Sequence, residues 1–115
     1  MGLIDVVRVS AALGNEKRYA MLEAIFKGSI KTCCDRFEVW EHGVCVADMV
    51  SMFKLSQSTI SHHLSVLEEA GLTRRENRGL WTCYFPNEAA VEEFLAAIRR
   101  SLLESGDSPA ESGNP

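Results

Sequence analysis

The sequence contains no apolar run approaching the roughly 20 residues a membrane helix needs. Its N-terminus, with Asp5 among the first residues, lacks the charged-then-apolar layout of a secretory signal. Both absences lead to the expectation of a cytoplasmic protein. The redox signature C-x-x-C is missing, as is any Gly-rich phosphate loop. Paired cysteines near His42 raise the question of redox or nucleophilic chemistry, but a chain of 115 residues leaves little room for a substrate cleft. The expectation is that it is not an enzyme. No internal repeat is present, and the length fits one domain with one modest core.

What is present is a composition of 46% hydrophobic and 24% charged residues, which fits a folded chain rather than a disordered one. A net charge of -4 argues against indiscriminate attraction to nucleic acid. The distribution matters more than the total, because residues 54–85 carry +1 and the remainder -5. A basic edge on an acidic body is therefore available. The last stretch, "SGDSPAESGNP", is Gly, Ser and Pro rich and acidic, so the domain is expected over 1–104 with a disordered tail over 105–115.

Apolar spacing predicts the elements. Residues 4–13 form a short helix ended near Gly14. Asn15 caps a second, in which Tyr19, Leu22, Ile25 and Phe26 make one buried stripe. Residues 27–43, with the charged segment "DRFEVWEHG", are left open between a short helix and an ordered loop. A helix over 46–53 is interrupted by "KLS". Ser56 then caps a helix that Gly71 closes, with Ile60, Leu64 and Leu67 at i, i+4 and i+7 facing the core. "LTRRE", "NRG" and "LWTCYF" read as a hairpin around Gly79, with Trp81, Cys83 and Phe85 on one face of its second strand. Asn87 caps a last helix carrying Val91, Phe94, Leu95, Ile98 and Leu102.

The stretch "SQSTISHHL" puts four hydroxyl groups and two histidines at one end of a helix, where an ordinary surface helix would carry Glu, Lys and Ala. The bland reading is a surface helix start with a serine cap. The order helix, short break, helix with a polar start, then a hairpin bearing arginines favours a helix-turn-helix. Such a fold lays the start of its second helix in the major groove, where Ser, Thr, Gln and His reach base edges. Gln57, Ser58, Thr59, Ser61 and His62 are then the base-edge or phosphate contacts, and Ser56 is mainly a cap. Arg75 and Arg78 are the hairpin contacts to the DNA backbone or minor groove, with Arg78 at the hairpin tip favoured. His62 and His63 point about 100° apart on a helix, so one metal ion would not readily take both.

The segment "CVADMVSMFKLSQSTISHHLSVLEEAGLTRRENRGLWTCYF" resembles the winged helix-turn-helix repressors of the ArsR/SmtB family, specifically over residues 44–85 and more weakly upstream through "LGNEKRYAMLEAI". The resemblance implies a mainly α fold with a small β hairpin, a homodimer held by the first and last helices, and repression of an operon through double-stranded operator DNA, with no cofactor required for binding. It also implies release by a metal, metalloid or other signal. A family site built on a "CVC" pair is incomplete here, since Cys45 matches its first cysteine and Ala47 replaces the second. A family zinc site on the last helix needs His, and residues 87–104 contain none.

Four cysteines remain to be explained: Cys33, Cys34, Cys45 and Cys83. Adjacent Cys33 and Cys34 make a two-disulfide secreted framework awkward, and reduced thiols suit metal or redox chemistry better. Soft thiolates select soft ions, and trivalent arsenic or antimony favours three sulfurs in a pyramid. Cys33, Cys34 and Cys45 supply such a set if irregular backbone lets the adjacent pair converge. Cys83, in its strand, reads as a small apolar filler. The expected function is thus a repressor released by As(III) or Sb(III). The alternatives are thiol oxidation or persulfide formation among the same residues, a soft ion such as mercury, cadmium or lead, and a winged-helix protein-interaction module.

Overall fold

The computed structural model describes residues 5–28 and 43–104. The tail over 105–115 lies outside the described residues, as do Cys33, Cys34 and most of the stretch left open between helix and loop. In chain order the elements are α1 (Val6–Leu13), α2 (Glu16–Lys27), β1 (Val44–Cys45), α3 (Val46–Phe53), α4 (Gln57–Glu69), β2 (Thr73–Arg78), β3 (Trp81–Pro86) and α5 (Glu88–Leu103).

Short polar side chains set where these helices begin. Asp5, Asn15, Ser56 and Asn87 each accept a hydrogen bond from the backbone N–H three residues on, satisfying a donor the first helical turn leaves over. Asn87 does more, because its side-chain amide also donates to the Gly71 carbonyl at 2.8 Å. That bond fastens the start of α5 to the chain leaving α4. The turn between α3 and α4 bends at Lys54, whose φ of 57° is left-handed, and α4 ends at Gly71 with φ 86°. A glycine accepts that angle without the Cβ clash other residues incur.

The apolar stripes of the helices meet in one core. Val9 and Ala12 of α1, Met21 and Ile25 of α2, Met49 of α3, and Ile60, Leu64 and Leu67 of α4 are all buried there, with Leu72 and Tyr84 closing it from the sheet side. Arg18 reinforces the assembly: its Nε donates to the Ala12 carbonyl at 2.8 Å and its Nη1 lies 3.1 Å from His63 Nδ1. One side chain thereby links α1, α2 and α4.

The sheet is antiparallel with the order β1-β3-β2. The hairpin β2–β3 is the one the sequence announces. β1 is a third strand, formed by two residues whose local pattern predicts no element. It pairs Val44 with Tyr84 and Cys45 with Cys83, so the chain entering α3 is sewn to the inner strand of the hairpin. On that side Cys45, Cys83 and Phe85 form a second apolar cluster, with Trp81 packed against it. No helix among the described residues is long and apolar enough to cross a membrane.

Candidate nucleic-acid interface

α3, the bend at Lys54 and α4 make a helix-turn-helix, and the hairpin is its wing. Ile60, Leu64 and Leu67 are fully buried, which fixes the rotation of α4 about its axis. Gln57, Ser58, Thr59 and His62 are in consequence exposed, and Ser61 is half-buried. Ser56 serves as the cap: its hydroxyl donates to Thr59 Oγ1 at 2.9 Å and accepts the Thr59 N–H at 3.2 Å. Thr59 is thus oriented by the cap, whereas Gln57 and His62 make no side-chain hydrogen bond among the described residues.

Beside α4 runs a polar groove of about 400 Å³ whose walls include Gln57, Ser61 and Ser65 on one side and Arg75, Trp81 and Thr82 on the other. It is open at the wing, where Leu80 is 98% exposed. Its lining brings together Gln57 and Ser61 of α4 and Arg75 of the wing.

The wing arginines differ in how their charge is held. Arg74 and Arg78 both bond to Glu76, Arg78 through its Nη2 at 2.9 Å and Nε at 3.0 Å. Both guanidinium groups also lie over the Phe85 ring, at 4.5 Å for Arg78 and 4.9 Å for Arg74. These bonds, first from Arg78 and then from Arg74, hold the Glu76 carboxyl below the usual carboxylate range. Arg78 is therefore the last residue of β2, clamped and three-quarters covered, while the tip itself is Gly79 and Leu80. Arg75 makes a loose ion pair with Glu68 at 3.8 Å, hydrogen-bonds the Tyr84 side chain and lines the groove.

His63 points away from this surface, towards α2. A guanidinium can only donate, so the bond to Arg18 requires Nδ1 to be unprotonated, with the ring proton on Nε2. Burial, then Arg18, then His62 push the His63 pKa below its ordinary value. A histidine whose folded pKa is lowered contributes stability that is complete above about pH 6.5 and is lost as pH falls through the lowered value. Wild type should therefore lose thermal stability between about pH 7.5 and about pH 5 more steeply than a His63→Asn variant, which keeps an acceptor without a titrating ring. Parallel melting curves across that range would discard the assignment.

The cysteines divide. Cys33 and Cys34 lie outside the described residues. Cys45 is the N-cap residue of α3 and is fully buried, and its Sγ lies 3.2 Å from that of Cys83, also fully buried. No disulfide joins them. Reading Cys83 as an apolar filler missed this partner. A two-residue strand has no periodicity to betray it, and the pairing depends on a register between residues 38 positions apart. Among the described residues no cluster of three or more His, Cys, Asp or Glu is placed to hold a metal ion.

Comparison with known proteins agrees with this geometry. The model of the family described as "Bacterial regulatory protein, arsR family" matches residues 43–74, which span β1, α3, α4 and the start of β2. The chain is 30% identical over 100 residues to the HTH-type transcriptional regulator YbzH of Bacillus subtilis, covering 86% of this chain and all of that one. It is 34% identical over 61 residues to the arsenical resistance operon repressor of Bacillus subtilis, covering 52% of this chain and 58% of the repressor. The chain spans about three fifths of the length of the first curated relatives it matches. Among solved structures, the homodimeric winged helix-turn-helix DNA-binding domain Mb0332 from Mycobacterium bovis superposes with a TM-score of 0.60 at 20% identity, over 91% of this chain and 86% of that one. With a match along the full length of one regulator, a family model centred on the helix-turn-helix and a shared winged fold, the chain belongs to the arsR family of bacterial regulatory proteins.

Proposed function

We propose that two copies of this chain form a repressor that binds operator DNA through α4 and the wing, and that trivalent arsenic or antimony held by cysteine thiolates releases it. The observation that carries the reading is the exposed polar start of α4, held in one orientation by a fully buried opposite stripe and flanked by a groove that also contains Arg75. Gln57, Ser58, Thr59, Ser61 and His62 contact base edges or phosphates in the major groove. Arg75 and Arg78 contact the adjacent backbone, and Ser56 mainly caps the helix. An acidic chain gains its phosphate attraction locally in this way.

Unspent apolar surface supports pairing of two copies through α1 and α5. Only Ala90 of α5 is buried, while Leu102 and Leu103 are each 72% exposed and Val7 of α1 is 78% exposed. An apolar groove of about 370 Å³ between α2 and α5 includes Leu22, Phe26, Phe94 and Leu95 among its walls. That much exposed hydrophobic surface is unusual for a small monomer and is removed by a two-fold partner. Two α4 helices then fit half-sites one helical turn, or a multiple, apart.

The arsenical resistance named for the Bacillus subtilis relative supports the metalloid as inducer. Thiols are the matching chemistry, with Cys33, Cys34 and Cys45 as the ligand set. The test is to titrate reduced protein bound to its own upstream promoter DNA with arsenite and follow DNA release by fluorescence anisotropy. Release at stoichiometric arsenite is expected. Unchanged affinity at saturating arsenite, with release by an oxidant, overturns the metalloid reading in favour of thiol oxidation. Absence of any salt-dependent DNA binding favours a protein-interaction module instead.

A further inference from the structure

We infer that Cys83 is an inducer ligand, and that Cys45 and Cys83 together form a two-thiol site for trivalent arsenic at the joint between the helix-turn-helix and the wing. The inference rests on arsenic as the inducer, keeps Cys45 as a ligand, and puts Cys83 in the place given above to Cys33 and Cys34.

The geometry is specific. Cys45 and Cys83 occupy facing positions of the antiparallel β1–β3 pair, and their sulfurs are 3.2 Å apart. A disulfide would need about 2.05 Å. A soft ion bonded at about 2.3 Å to each of two sulfurs holds them about 3.3 Å apart at a right angle, and about 3.8 Å apart at a tetrahedral one. The observed separation lies next to the right-angle value, which is the pyramidal arrangement a lone-pair ion adopts. The two sulfurs therefore already stand at about the separation such an ion requires.

The surroundings select the ion. Phe85 is buried with the two thiols and Trp81 packs against that cluster, while Glu76, the cross-strand partner of Cys83, has its carboxylate already held by Arg74 and Arg78. Such a site disfavours hard cations, which require oxygen ligands. The reaction with arsenous acid also suits a dry site. Two S–H and two As–O bonds break, two As–S bonds form, and two waters leave, with arsenic remaining trivalent. The product keeps one hydroxyl on arsenic and is uncharged, which avoids the large cost of burying an ion.

The site also has a mechanical consequence. β1 runs directly into α3, and β3 is the inner strand of the wing, so one arsenic atom ties the helix-turn-helix to the wing covalently. The groove between α4 and the wing, which includes Ser61 and Arg75, lies across that joint.

The experiment uses the full-length reduced protein carrying Trp40→Phe, so that Trp81 is its only tryptophan. Arsenite is titrated while Trp81 fluorescence and the heat of binding are recorded. In the Cys33→Ser/Cys34→Ser variant, one arsenite per chain should still bind and quench Trp81. The Cys83→Ala variant should bind arsenite at least about tenfold more weakly than its parent and lose the quenching, with an unchanged far-ultraviolet circular dichroism spectrum. Wild-type affinity in Cys83→Ala, or no arsenite uptake in the Cys33→Ser/Cys34→Ser variant, overturns the inference. Binding that quenches Trp81 but leaves operator DNA attached upholds the site and rejects arsenic as the releasing signal.

Discussion

A Ser61→Ala/His62→Ala variant should bind its operator about 30-fold to 20,000-fold more weakly than wild type, because each good base contact contributes about 1–3 kcal/mol. The substitutions leave the fold alone for a structural reason. His62 is exposed and Ser61 half-buried, while the residues that fix α4 in place, Ile60, Leu64 and Leu67, are untouched. Alanine is also the stronger helix former at both positions. Oligomeric state and arsenite uptake should therefore match wild type, and the weakened binding that remains should keep a similar dependence on salt, since Arg75 and Arg78 are retained. Measurement of operator affinity by anisotropy at several salt concentrations, beside sedimentation of the free protein, separates these quantities. If the double variant holds the operator as tightly as wild type, the reading surface lies elsewhere on the molecule.

Leu64→Ala should cost about 2–5 kcal/mol of folding stability, a large part of the roughly 5–15 kcal/mol a domain possesses. Leu64 is fully buried in the middle of α4, within the core that also holds Met21, Ile25 and Met49. Truncation opens a cavity among helices anchored by caps and by Arg18, so collapse around it is limited. Urea unfolding at a fixed protein concentration gives the value, and the fixed concentration matters because pairing of chains shifts apparent stability. The comparison is Leu80→Ala at the wing tip, where 98% exposure predicts almost no change. Equal midpoints for the two variants would mean that α4 is not seated as described.

These two expectations draw on different parts of the molecule, and the sequence made them legible to different degrees. The caps Asn15, Ser56 and Asn87 and the closing Gly71 are local signals, since each acts on backbone groups within a few residues, and all are found where the spacing predicts them. The face of α4 follows from the same local periodicity. The wing arginines are a mixed case. Their presence on the hairpin is visible in "TRRENRG", and the sharing of Glu76 between Arg74 and Arg78 follows from their two-residue spacing on one face of β2, but their stacking on Phe85 depends on cross-strand register. Arg78 consequently stands beneath the tip, and Arg75 is the arginine that faces the groove.

By itself the sequence determined the succession of helices, the helix-turn-helix, the polar start of α4 and the family pattern, because capping, amphipathic spacing and turn chemistry are written in neighbouring residues. Only the tertiary structure decided that β1 joins the sheet, that Arg18 reaches His63 and that Cys45 meets Cys83. Those contacts join positions 38 and 45 residues apart. The chain's local preferences are silent at that range, and only the packing of a shared core sets which side chains end up face to face.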